Sequence, residues 1–522
     1  MTNASAGQAD FKKSDISSRV NNRSLRPDSE SFARFMTEGW GPENPDVAPN
    51  ESSKWIPARL EALGRHYRGE RLVIPAGRPK VRNNDDDYPF RPDTVFAYYT
   101  GLGEDYEAGA VLVLDPNDPA DEAAKGTHTP ILFLHPRANH DTTDFYRSSA
   151  YGEYWVGARP GLDEFHVMTG LETRDISGLD ECLSHNVGTG DSQVKLRVIK
   201  ESDPAITAEV DRIREAAGLD DKAANDEGDN DFHETAAIAR MLKDDYEIGE
   251  MRKAILATRH GFDNILRHLD ESVDKPRGER MLEGAFNAVS RIEGNDVGYG
   301  TIIASGPDGP TLHWMRNTHT VRRQDMLLID AGVETQSLYT ADITRTFPVT
   351  GTFNPVQRKL YQAVFDAQQA GFEAAQPGCT YSDIHHACMR SLAESLHEWG
   401  VLKVPVKEAL SPEGQQHRRW HACGVAHHLG LDVHDCAQAR YEEYQGAKLT
   451  PGMIFTIEPG LYFRENDLLI PEEFRGIGIR IEDDVLMTEH GPEWLSKPVI
   501  PSTIDEVEAW MKEERGKTAE RR

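Results

Sequence analysis

The chain has 522 residues and carries 58 Lys and Arg against 87 Asp and Glu, a formal charge of −29. A protein that gains affinity by neutralising phosphates needs a basic surface, so non-specific binding to nucleic acid or an anionic membrane is excluded as a function class. Apolar runs such as residues 111–114 fall far short of the roughly 18 residues that cross a bilayer, and the length is ample for two to four domains with cores of their own.

The opening stretch, MTNASAGQADFKKSD, has no apolar core region, so no export signal is expected. Five cysteines, Cys182, Cys379, Cys388, Cys423 and Cys436, form no CxxC pair, which points to a reducing, cytoplasmic compartment. Residues 1–52 are rich in Ser, Asn, Asp and Pro and read as a mobile arm, with a short helix over 31–36. Residues 53–225 read as a mixed α/β domain: WIPARLEALGRHY as a helix, and RLVIPAG, VFAYYTGL, AGAVLVLDP and TPILFLHP as strands. LDDKAANDEGDNDFHE is acidic and nearly free of large apolar side chains, so residues 226–240 are expected to be a solvated linker. It lacks the Asp/Asn spacing and closing Glu of a calcium loop.

Residues 241–502 open with two amphipathic helices, DDYEIGEMRKAILATRHGFDNILRHL and GERMLEGAFNAVSRIEG. Strands and hairpins follow at TIIASG, DMLLIDAGVE with ADITRTFPV, MIFTIEPGLYF and GIGIRIEDDVLMT, with a helix pair across residues 355–400. Residues 503–522 read as a helix with a charged tail. No short tandem repeat suggests a solenoid.

Several acidic groups stand on strands that otherwise read as core. Asp330 ends the run MLLI and Asp342 begins ITRTFPV twelve positions later, so a hairpin can bring both to one face. Alternation puts Arg480 with Glu482, and Thr456 with Glu458, on shared faces. Taken singly, Asp330 also fits a turn aspartate and Glu482 a solvated edge charge. Together, four buried carboxylates would repel unless protonated or bound to cations. CGVAHHLGLDVHD supplies His427, His428 and His434 as candidate nitrogen ligands. One imidazole with four carboxylates is an oxygen-dominated set that suits Mn²⁺ better than structural zinc. Two divalent ions would balance Asp330, Asp342, Glu458 and Glu482 and could clamp and ionise a bridging water, giving hydrolysis without a covalent intermediate.

IDAGVETQSLYTADITRTFP, HHLGLDVHD, TIEPGLY and GIGIRIEDDV, in this order and spacing, resemble the pita-bread metallopeptidases: aminopeptidase P, prolidase and, more distantly, methionine aminopeptidase. The resemblance covers about residues 240–500 and implies an α+β fold, a pita-bread catalytic domain behind a smaller mixed α/β N-terminal domain. It implies Asp330, Asp342, His427, Glu458 and Glu482 as ligands of two divalent metal ions, with Asp342 and Glu482 bridging and Glu458 accepting the water proton. GPTLHW makes His313 a substrate-facing residue, His434 resembles a substrate-contacting or proton-shuttling histidine, and Arg480 an arginine supporting the metal carboxylates and the peptide.

RNNDDDYPFRPDTVFAYYTG is similar to the N-terminal signature of aminopeptidase P. YGEYWVGARPGLDE looks like the segment that, in tetrameric relatives, lends an aromatic side chain to a neighbouring active site, with Trp155 as that candidate. The resemblance therefore implies release of the residue preceding proline from Xaa-Pro peptides, by a homo-oligomer, dimer or tetramer. Prolidase is the alternative within the class; a metal-free creatinase-like enzyme and a non-catalytic peptide- or histone-binding module are the alternatives outside it. One departure stands beside the ligand histidine: Cys423 and Gly424 occupy the place of a His-Gly pair, leaving His421 or His428 to compensate. Cys423 and Cys436 themselves are expected to be ordinary buried thiols.

Overall fold

The computed structural model describes residues 29–41, 46–84, 86–103, 108–118, 126–188 and 194–520. The chain forms two compact units, residues 1–57, 67–96 and 105–220 in the first and 58–66, 97–104 and 221–522 in the second. Most of the expected mobile arm, and the last two residues of the charged tail, lie outside the described residues. Within the arm, helix α1 (Glu30–Thr37) starts where the Ser29 hydroxyl accepts from the Phe32 amide, and Phe32 sets its ring edge-on to Tyr146 at 5.5 Å.

Helix α2 (Ile56–His66) leads to strand β1 (Glu70–Pro75), and helix α3 (Thr94–Thr100) precedes β2 (Val111–Pro116), β3 (His128–Leu134), β4 (Glu172–Asp175) and β5 (Lys195–Val198). The sheet order is β4-β3-β2-β1-β5, antiparallel at β1/β2 and β2/β3 and parallel at β1/β5 and β3/β4. Val73, Val113, Ile131 and Phe133 pack with Leu183, Ile206 and Val210 from helices, the last two on α4 (Pro204–Ala216). Covered faces need the unbroken apolar runs by which β1 to β3 are recognised in the sequence. VFAYYTGL is not the expected strand but α3, where Asp93 caps the Val95 amide at 2.9 Å. All its residues from Val95 to Tyr99 are buried, so periodicity alone could not separate helix from strand.

The acidic stretch is likewise no loop. Residues Lys222–Ala239 form helix α5, capped by Asp221, with Gly228, Asp229, Phe232, Ala236 and Ala237 buried along one side. A helix face of small residues and one phenylalanine is too weak a pattern to find from composition, although alanine favours helix strongly. Helix α6 (Asp245–Ser272) begins with an Asp244/Glu247 capping box and packs on α7 (Gly278–Glu293).

Strands β6 (Ile302–Ser305), β7 (Met326–Ala331) and β8 (Ile343–Pro348) form an antiparallel sheet ordered β8-β7-β6. After the packed pair α8 (Pro355–Ala374) and α9 (Tyr381–Glu398) come β9 (Ile454–Ile457), β10 (Gly460–Phe463), β11 (Ile477–Arg480), β12 (Asp483–Thr488) and β13 (Gly491–Trp494). β12 lies between β9 and β13, β10 pairs with β11, and a bridge between Thr344 and Glu482 ties β8 to the residues between β11 and β12. Arg345 reaches from β8 to Asp483 at 2.7 Å, both side chains fully buried, and Gln368 on α8 donates to Asp483 at 3.0 Å. C-terminal helix α10 (Ile504–Glu520) closes the core on α6, with Trp510 against Phe262 and Phe347. The class is α+β, as the sequence implies.

Candidate metal centre

Asp330 is the penultimate residue of β7, opposite Thr344, and Asp342 stands just before β8, so the two acids lie diagonally across one ladder on the same face. Between them Gly332 passes so close to the returning strand that a Cβ would sit 1.7 Å from the Ala341 carbonyl oxygen and 3.0 Å from the Tyr299 ring. Glycine is required there by space. The Tyr299 hydroxyl then reaches Asp330 Oδ1 at 2.7 Å and Asp342 Oδ1 at 2.6 Å, binding the pair from one side.

The remaining predicted ligands converge on these two. His427 Nε2 lies 3.3 Å from Asp342 Oδ2 and 3.6 Å from Glu458 Oε1. Its other ring nitrogen, Nδ1, is 3.0 Å from the His428 carbonyl oxygen, an acceptor that puts the proton on Nδ1 and leaves Nε2 as the ligand atom. The segment is registered by a Thr456 amide bond to the His427 carbonyl and a Glu458 amide bond to that of Val425. Ligand oxygens of Asp342 and Glu482 and a ring nitrogen of His427 all lie within 4.8 Å of one another. Thr344 donates to Glu482 Oε2 at 2.6 Å and receives Arg480 Nε at 3.0 Å; Arg480 also donates to Asp330 Oδ2 and to the Tyr462 hydroxyl.

Without cations this is a cage of conflicting charge. Burial, with Asp342 and Asp330 adding to it against His427 and Arg480, pushes Glu458 up to about 7. Glu482 is held far above the carboxylate range by burial and by Asp342, Glu458 and Asp330. Burial also raises Asp330, with Arg480 opposing and Asp342 reinforcing. Burial disfavours a charged His427, but Asp342 and Glu458 overcome it and push the imidazole up to about 9. Burial and mutual repulsion thus disfavour the charged form of Asp330, Glu458 and Glu482 without a counter-charge, and the oxygen-rich donor set fits divalent cations. A second grouping, Glu279, Asp308 and His319, differs: both Glu279 oxygens are engaged, by the Ser305 amide and by Trp314 Nε1 with the His319 amide, at 2.9 Å each.

At the rim, His313 and His434 are both exposed and near enough that His313 disfavours a proton on His434, which burial already lowers. The His434 ring stands perpendicular to His427 with centroids 4.6 Å apart. Trp155 belongs to the first unit, half-exposed, with its indole N–H on the Tyr146 carbonyl. His428 is fully buried between Tyr381 and Tyr444 and pushed down to about 3, chiefly by burial. His421, buried and lowered to about 4 for the same reason, lies beside Gly460, with Cys423 Sγ at 3.6 Å from its Nε2. Cys436 is buried as expected, whereas Cys423 is partly exposed.

Tyr299, Thr344 and Tyr462 went unnoticed in the sequence. Each is a common residue whose role comes from a neighbour distant in the chain, so no local signal marks it.

Residues 249–489 match the model of metallopeptidase family M24, and residues 57–194 that of the aminopeptidase P N-terminal domain. The chain is 43% identical over 484 residues to Xaa-Pro aminopeptidase 1 of Streptomyces coelicolor, covering 92% of each chain. Aminopeptidase P from E. coli in its low-pH form superposes with a TM-score of 0.75 at 29% identity, over 89% of this chain and 99% of that one. A Zn-substituted E. coli aminopeptidase P in complex with product does so with a TM-score of 0.73 at 29% identity, over 89% and 99%.

Proposed function

The chain belongs to metallopeptidase family M24 and is a metallo-aminopeptidase, and from that premise we propose that it releases the first residue from peptides with proline in second position. The single observation that carries the proposal is the meeting of Asp330, Asp342, His427, Glu458 and Glu482 in one cage, three of them buried and two half-buried. We assign them as ligands of two divalent cations, Mn²⁺ by donor chemistry. Bound there, such a pair supplies Lewis acidity toward the scissile carbonyl and lowers the pKa of water.

This chain's own groups have separate tasks. Asp342 and Glu482 would each help hold both cations, and Glu458 would accept the proton that the activated water gives up. Arg480, almost fully buried, acts through the carboxylates: it fixes Asp330 directly and Glu482 through Thr344. His313 and His434 hold the substrate at the rim, and His434 passes a proton to the departing proline nitrogen. An Xaa-Pro bond has no N–H and a fixed φ, so it cannot be gripped as an extended strand and needs a pocket of its own. We assign the protein to the cytoplasm and, with Trp155 as a contact between copies, to a homo-oligomer.

Elemental analysis of the purified protein, followed by assays of Xaa-Pro dipeptides and Xaa-Pro-Yaa peptides with added Mn²⁺, tests the reading. Bound metal with cleavage of the longer peptides is expected. Cleavage of dipeptides alone would mark a prolidase, and neither metal nor hydrolysis would mark a binding module.

A further inference from the structure

Helix α5 and the turn after it lie between the two stretches that match family models, yet they deliver two buried cations to the loop that carries His434. Arg240 Nε lies 3.2 Å from Asp435 Oδ1, and Lys243 Nζ lies 3.0 Å from Asp435 Oδ2. All three side chains are at most 2% exposed. Asp435 immediately follows His434, and its own amide donates to the His428 carbonyl, closing the loop that starts at the ligand histidine. That same carbonyl takes the Nδ1 proton of His427.

The closure is tight. A Cβ on Gly430 would stand 2.3 Å from Asp435 Oδ2 and 2.8 Å from Lys243 Nζ, so the loop folds directly onto the ion triad. Cys436, next along, adopts φ 61°, and its amide donates to Asp435 Oδ1 at 2.8 Å. Lys243 further donates to the Arg240 carbonyl, and Arg240 to that of Ala236, so both cations are tied back to the end of α5. Farther back on the same helix, Glu234 pairs with Arg440, four residues beyond Cys436.

The triad belongs to a wider charge network, in which Asp432 also acts on Arg240. Arg59 pairs with Asp244 at 2.7 Å and lies 3.5 Å from Glu247, whose carboxylate accepts from the Tyr339 hydroxyl. Arg59, Arg240 and Lys243 therefore face Asp244, Glu247 and Asp435. Well-packed hydrophobic side chains in such a place are often at least as stabilising as an ion triad, so stability alone does not account for it.

We propose that Arg240, Lys243 and Asp435 are positioning residues, which hold the His434 imidazole where it meets the substrate. The inference rests on the role assigned to His434 above. Asp435→Asn keeps the shape and removes the anion that both cations grip, while Lys243→Met removes one grip and leaves the Arg240 pair. In the metal-loaded full chain, each variant should lower kcat/KM for an Xaa-Pro-Yaa peptide by about 10- to 100-fold, with bound metal within about twofold.

The discriminating measurement is a double-mutant cycle with His434→Ala. If the triad acts through His434, Asp435→Asn costs less than about threefold in the His434→Ala background. Equal losses in both backgrounds, loss of bound metal, or melting of both variants below the assay temperature would each overturn the proposal and leave the triad a fold element. If His434→Ala alone retains full activity, the assigned role of His434 fails; if the parent enzyme cleaves no Xaa-Pro peptide, the functional reading fails before the triad is reached.

Discussion

Removing metal from this protein should make its stability depend on pH in a direction the cage dictates. Glu458 moves from an ordinary 4.5 to about 7 in the metal-free fold, so between those values the folded chain holds a proton that the unfolded chain has released. Stability from this group is complete below about 4.5 and is lost as pH rises through 7, a change of about 3 kcal/mol. His427, raised from 6.5 to about 9, carries the same sign into a higher window and contributes a similar amount. The two are neighbours and titrate as one coupled system, so about 3–6 kcal/mol is lost in all from pH 5 to pH 9. Bound cations take the place of these protons and remove the loss.

The assay is the melting temperature of metal-loaded minus chelator-stripped protein at each pH, a difference in which ionisations elsewhere, such as that of half-buried Lys497, cancel. At about 2 °C per kcal/mol for a unit of this size, the difference should widen by about 6–12 °C from pH 5 to pH 9. A difference that stays flat or narrows with rising pH would refute the cage as a cation site.

Asp342→Asn removes one charge of the proposed ligand set while keeping shape, so activity should vanish with the circular dichroism spectrum unchanged; full activity would reject the ligand assignment. Tyr299→Phe deletes the hydroxyl shared by Asp330 and Asp342 and should weaken metal affinity by about 10- to 100-fold, measured by competition with a chelating dye. Arg345→Met leaves Asp483 buried without its cation and should cost about 3–5 kcal/mol in denaturant unfolding. In the double variant Arg345→Met/Asp483→Leu most of that loss should be recovered.

The cage was legible because its chemistry forces unusual residues into ordinary patterns. A carboxylate at the end of MLLI or inside IGIRIEDDV contradicts its apolar surroundings, and that contradiction survives without any structure. The long amphipathic helices and the unbroken strands of the first sheet were equally readable, since each satisfies a single periodicity over many residues.

The failures have the opposite character. VFAYYTG is apolar all round, so burial on every side left helix and strand equivalent until the Asp93 cap and its surroundings chose the helix. The stretch from Lys222 to Ala239 resembles a solvated linker by composition, but as α5 it buries Phe232, Ala236 and Ala237 and ends in the two cations on Asp435. Local sequence determined which residues carry charge into apolar strands, because desolvation penalises them wherever they fold. Only the tertiary structure decided which of those charges meet, because Tyr299, Thr344, Arg240 and Lys243 gain their partners across long stretches of chain, where no local periodicity reaches.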